Sequence, residues 1–123
     1  MRPQDNPGIN LDICCAELGR QLAALKDMEE KVINDALAVL EQQGPYAMFL
    51  YIRARHEKVA ADFRHCCASF FSEIFGRGTA GQGDALEEMI KAIGESLDDL
   101  LFTRDLLRTA LSYARYHLKA RGG

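Results

Sequence analysis

Apolar residues recur at three- and four-residue steps along most of the chain, and no segment alternates over the length a strand requires. From Asn10 to Gln43 the apolar positions are Leu11, Cys14, Leu18, Leu22, Leu25, Val32, Ala36 and Val39 or Leu40, with Asn10 placed to cap. This spacing predicts one long amphipathic helix. Gly44 followed by Pro45 then gives a terminating glycine beside a proline suited to a first helical position, the pattern of a tight helix–helix connection. The next stripe, Phe49, Ile52, Val59, Phe63, Cys67, Phe70 and Ile74, predicts a second helix from Pro45 to about Phe75. Its phenylalanine content marks it as the central core helix.

Gly76 to Gly83 reads GRGTAGQG and predicts a flexible surface loop. Asp84 with Glu87 forms a capping box that starts another helix, and Ser96 with Asp99 forms a second box ahead of a last helix from Leu97 to about Arg121. The expectation is all-α: a compact bundle of four to five helices in a single domain, 1–123, with residues 1–9 frayed.

Composition adds three constraints. The chain is 48% hydrophobic and 27% charged, which suits a folded domain. Met1 to Pro7 has no apolar targeting core, and the uncharged stretch Gly44 to Ile52 is too short to span a bilayer, so a soluble, cytoplasmic protein without membrane contact is expected. The four cysteines form two adjacent pairs, Cys14-Cys15 and Cys66-Cys67, a spacing that fits neither a secreted disulfide framework nor a CxxC knuckle. They read as reduced apolar core fillers, with a four-thiolate zinc site joining the pairs as the alternative.

Charge changes the picture most. The total, 15 Lys plus Arg against 18 Asp plus Glu, predicts no nucleic acid. Yet Arg104, Arg108, Arg115 and Lys119 follow one another at steps of four, seven and four along the last helix. At about 100° and 1.5 Å per residue they fall in a stripe about 60° wide and about 22 Å long, which is a track for a run of phosphates. Arg53 and Arg64, at i and i+11 on the second helix, share an edge that would form a shallow basic groove if it packed beside this ridge. The competing reading is a solvated face whose cations favour a helix C-terminus, while Glu95, Asp98 and Asp99 favour its start.

Enzymatic chemistry finds little footing. His56 is followed by Glu57, Lys58 and Val59 and His65 by two cysteines and Ala68, so neither carries the lysine and glycine of a histidine-phosphotransfer helix. His56 reads as a buried, hydrogen-bonded side chain. A di-iron bundle needs paired Glu-x-x-His motifs, and the chain offers one Asp62-x-x-His65. The string Gly76-Arg77-Gly78-Thr79-Ala80-Gly81 follows a helix where a dinucleotide fingerprint follows a strand. A non-catalytic protein without metal or cofactor is expected.

Two segments together carry a resemblance: Gly44-Pro45-Tyr46-Ala47-Met48-Phe49-Leu50-Tyr51-Ile52-Arg53-Ala54-Arg55, and LLFTRDLLRTALSYARYHLKAR from Leu100 to Arg121. In order, spacing and separation by a polar loop the chain resembles the small all-helical subunit of type III CRISPR effector complexes, although Tyr113 stands where many members have tryptophan. The resemblance implies a non-catalytic subunit of an antiviral ribonucleoprotein, stacked with copies of itself and with other effector subunits. Its basic surface, here Arg104, Arg108, Arg115 and Lys119 with Arg53 and Arg64, would line the path of guide and target RNA. The alternative is a helical interaction or dimerisation module without nucleic acid, built on the near-heptad stripe Leu18, Leu22, Leu25, Val32, Ala36 and Val39, which is interrupted at Glu29.

Overall fold

The computed structural model describes residues 10–75, 90 and 96–122, and among these the only regular structure is helix, with no strand. Among the described residues five helices are delimited: α1 (Leu11–Ala23), α2 (Glu30–Gln43), α3 (Pro45–Arg55), α4 (Glu57–Phe75) and α5 (Leu97–Gly122). The all-helical bundle predicted from the apolar spacing is the architecture found. The glycine-rich stretch Gly76 to Gly83, the Asp84–Glu87 capping box and residues 1–9 lie outside the described residues.

Two of the predicted helices are divided. Asn10 caps α1 as expected, its Oδ1 accepting from the Ile13 amide at 3.1 Å. The helix then stops at Ala23, and the chain reverses through residues 24–29, where Asp27 adopts φ +68°. That left-handed geometry is one aspartate tolerates better than most residues. The reason for the break is reach. A straight helix from residue 10 to 43 would run about 50 Å, whereas α5, at 26 residues, spans about 39 Å. Folded back, both halves lie along α5 and bury Leu18, Leu22, Val32 and Ala36 in one core, so the near-heptad stripe is consumed within the molecule.

The second division falls at His56 (φ −133°, ψ 55°), between α3 and α4. No apolar anchor of the stripe lies between Ile52 and Val59, so the helical phase is free to reset there. The Gly44–Pro45 connection behaves as the sequence predicts. Gly44 sits at φ +95°, a conformation side-chain-bearing residues avoid, its N–H donates to the Leu40 carbonyl at 3.0 Å, and Pro45 opens α3.

Every residue of the predicted phenylalanine stripe is buried. Phe49 of α3 meets Phe63 and Phe71 of α4 edge-to-face, with ring centroids 5.9 and 6.4 Å apart, and Phe75 meets Phe102 of α5 at 6.3 Å. Such pairs add about 0.5–1.5 kcal/mol each beyond area burial.

The helix that organises the bundle is α5. It runs parallel to α1: the Cys15 thiol bonds the Leu106 carbonyl near one end, and the Arg121 guanidinium reaches the Ala23 carbonyl near the other. It runs antiparallel to α2, where Glu41 meets Arg108 and Glu30 meets Lys119. The α1 contact is close enough to exclude a side-chain carbon. A Cβ on Gly19 would stand 2.5 Å from Tyr113 Cβ, 2.7 Å from the Ala110 oxygen and 2.9 Å from the Ala114 nitrogen. Two of those obstacles are backbone, so only glycine fits.

Candidate nucleic-acid interface

The four cations predicted to form a ridge do share one edge of α5, and that edge lies along α2. Arg108 is the anchor. Its guanidinium donates through Nε to Glu41 Oε1, through Nη2 to Glu41 Oε2 at 3.2 Å, and through Nη1 to Asp105 Oδ1 at 2.8 Å. This is the two-pronged geometry that arginine alone offers a carboxylate. Eleven residues on, Lys119 Nζ lies 2.7 Å from Glu30 Oε2.

Arg104 and Arg115, both half-buried, stand in the same row. Arg104 adds positive potential at Glu41 and Arg115 at Glu30, while Arg104 Nε is enclosed without a hydrogen-bond partner. The carboxylates register this setting. The hydrogen bond from Arg108 holds Glu41 below its ordinary value against a partial burial that pushes it up, and the bond from Lys119 does the same for Glu30. The ridge is therefore a two-sided polar seam, not a row of bare cations.

The secondary pair is divided between two helices. Because the chain breaks at His56, Arg53 and Arg64 stand on different helices, α3 and α4, and not on the single helix that the sequence predicts. Arg53 is exposed at the end of α3, while Arg64 is only 9% exposed within α4. A guanidinium covered to that degree offers little surface to a phosphate.

His56 serves the fold. Its Nε2 lies 3.0 Å from Asp35 Oδ2, the same oxygen that Lys31 reaches at 3.1 Å, and its ring lies 5.9 Å from that of Tyr51. Burial pushes the Asp35 carboxyl up, but the bonds from Lys31 and His56 outweigh it and leave the group below its ordinary value. The break between α3 and α4 is thus tied to α2 by a side-chain bond.

The cysteines occupy the core and its margin: Cys15 and Cys67 are buried, Cys14 and Cys66 half-buried, and all four are free thiols. Burial, with Cys14 and Asp12 nearby, pushes Cys15 up to about 12, and burial raises Cys67 well above the ordinary thiol value. Cys14 is raised by burial and by Glu73, Cys66 by burial and by Asp62. Groups in this state are protonated at neutral pH and poor nucleophiles. Among the described residues, no three His, Cys, Asp or Glu side chains gather where they could hold a metal ion, so the cysteine pairs form no four-thiolate site.

What periodicity missed is the acidic half of the seam. Glu30 and Glu41 are eleven residues apart, as are Arg108 and Lys119, so the match was present in the numbers. Finding it required knowing that α2 doubles back antiparallel to α5. The bond from Tyr113 Oη to Asp12 at 3.0 Å, which raises the phenol above its ordinary value, was hidden for the same reason.

Comparison of the chain with protein-family models, with curated proteins and with solved structures returns no match. Among the described residues no helix is long and apolar enough to cross a membrane. Fold and site therefore define a class only: an all-helical bundle with a charge-paired seam along its longest helix.

Proposed function

We propose that this chain is a non-catalytic small subunit of an RNA-guided type III CRISPR effector, contributing phosphate contacts from α5 and stacking with copies of itself and with larger subunits. The observation that carries the reading is α5 itself. The stretch that resembles the family's last helix is one unbroken element, and its aromatic-and-basic end exposes Tyr116, Lys119 and Arg121 at the surface. The other resembling stretch is α3 with its Gly44–Pro45 entry, a second complete element.

The seam sets how such contacts would work. Phosphates arriving along α5 displace Glu30 from Lys119 and Glu41 from Arg108, so each contact is an exchange of partners and its net gain is small. Binding by one subunit is then weak, independent of base sequence and salt-sensitive, and retention depends on several copies in a row. Arg104, Arg108, Arg115 and Lys119 remain the contact set, with Arg53 at its periphery. Arg64 drops out because it is covered.

The second reading, an interaction module without nucleic acid, is favoured by one observation: the carboxylates that already neutralise Arg108 and Lys119. Retention of small RNAs by the purified protein, followed against salt, separates the two. On the RNA reading, Arg108→Glu with Arg115→Glu abolishes retention while helical content is kept. On the interaction reading no RNA is retained by any variant.

A further inference from the structure

Beside the cation ridge, the surface of α5 carries a depression of about 250 Å³ lined by Arg108, Thr109, Ser112, Tyr113 and Tyr116. Its chemistry differs from that of the ridge. Two phenol rings and two aliphatic hydroxyls make up most of the lining, and Arg108, already bonded to Glu41 and Asp105, forms its wall on the ridge side. The two rings are held differently. Tyr113 is tied through its hydroxyl to Asp12 at 3.0 Å, which fixes a second wall, whereas Tyr116 is 62% exposed and presents its ring to water.

We infer that this depression receives one unpaired nucleotide base, stacked on Tyr116, from a strand whose phosphates follow the ridge. The inference rests on the nucleic-acid reading and adds to it a second kind of contact, made to the base and not to the phosphate.

Three observations choose a base as the occupant. The first is size. The volume falls short of the 300 Å³ or so at which sites for whole small molecules begin, so it suits one flat ring system.

The second is position. At about 100° per residue, the centre of Thr109, Ser112, Tyr113 and Tyr116 lies about a quarter turn round α5 from the centre of Arg104, Arg108, Arg115 and Lys119. At a side-chain radius of about 5–6 Å this is an arc of about 8–9 Å, comparable with the step from phosphate to base within one nucleotide. A strand laid along the ridge thus brings its bases over the depression on one side.

The third is the donor set. Tyr116 offers a π-face, which any base can use. Thr109 Oγ1 donates its proton to the Asp105 carbonyl at 3.0 Å and so turns its lone pairs outward as acceptors, while the Ser112 hydroxyl can donate or accept. Nothing in this set selects one base over another, so the contact tolerates sequence. It does select against paired strands, because in a duplex both faces of a base are covered by its neighbours, and only an unstacked base can lie on an aromatic side chain.

The test compares two probes by fluorescence anisotropy at low salt: a short oligoadenylate, and a strand of the same length whose sugars carry no base. The unaltered protein is expected to bind the oligoadenylate at least about fivefold more tightly, the lower end of what one stacked base contributes. Tyr116→Ala, at an exposed position where folding is verified by circular dichroism, should erase the difference between the probes, and Tyr116→Phe, which keeps the π-face, should retain it. Equal binding of both probes by the unaltered protein overturns the base site and leaves the phosphate ridge standing. A preference for the oligoadenylate that survives Tyr116→Ala overturns the assignment to this depression. Binding of neither probe overturns the nucleic-acid reading, and the base site with it.

Discussion

The two flanks of α5 are held by opposite chemistry. Against α1 the helix backbones nearly touch, with Gly19 set against Ala110, Tyr113 and Ala114 and no room for a single added carbon. Against α2 the margin is polar, and Arg108 and Lys119 reach across it to Glu41 and Glu30 from positions about half in water. A close-packed contact cannot be altered without moving backbone, whereas an exposed ion pair exchanges partners at little cost. The α1 flank fixes where α5 lies; the α2 flank is the one able to meet a charged partner without loss of the fold.

The largest expected effect comes from breaking the tight flank. Gly19→Ala should destabilise the protein by about 1–3 kcal/mol, the range of overpacking, and Gly19→Leu should prevent folding, both read by urea unfolding. Phe63→Ala, in the aromatic cluster of α3 and α4, should cost about 3–5 kcal/mol and serves as the reference for a core loss. The polar flank should respond far less. Arg108→Ala, at a side chain 40% exposed, is expected to cost under about 1 kcal/mol, and less as salt rises.

Acid sharpens the contrast further. Glu30, Asp35 and Glu41 are held below their ordinary values in the folded chain, so the stability they lend is present above the unfolded value, 4.5 for the glutamates and 3.8 for the aspartate. It is lost as pH falls through the lower folded values. The melting temperature should therefore drop on acidification below about pH 4.5. In Glu30→Gln/Glu41→Gln the drop should be smaller, while Gly19→Ala should leave the slope unchanged.

Much of the bundle was legible in the chain because it depends on local signals. Asn10 caps where it should, Gly44–Pro45 turns where it should, and each member of the phenylalanine stripe is inside. The two breaks were not legible, for related reasons. Asp27 reverses the chain without glycine or proline, in a polar stretch where the apolar spacing from Leu25 to Val32 still fits a continuous helix. His56 interrupts the next helix through a bond to Asp35, 21 positions away. In both places tertiary contacts set what local propensity left open.

The candidate site divides in the same way. That four cations share an edge of α5 follows from steps of four and seven. That Glu30 and Glu41 face them follows from the reversal at Asp27. Gly19, which cannot gain a side chain without moving backbone, gave no signal in the sequence, since a lone glycine within an apolar period reads as a weak helical position.

The central claim is that the α2 flank of α5 is an exchangeable seam whose cations can turn from carboxylate to phosphate. The most direct measurement is the salt dependence of small-RNA binding by Glu30→Gln/Glu41→Gln compared with the unaltered protein, with folding verified by circular dichroism. If the seam exchanges partners, removing the two carboxylates tightens binding and shifts the salt midpoint upward, and adding Arg115→Glu abolishes the gain. If binding is absent in both proteins, or identical in both, the seam is a fold contact only and the claim fails.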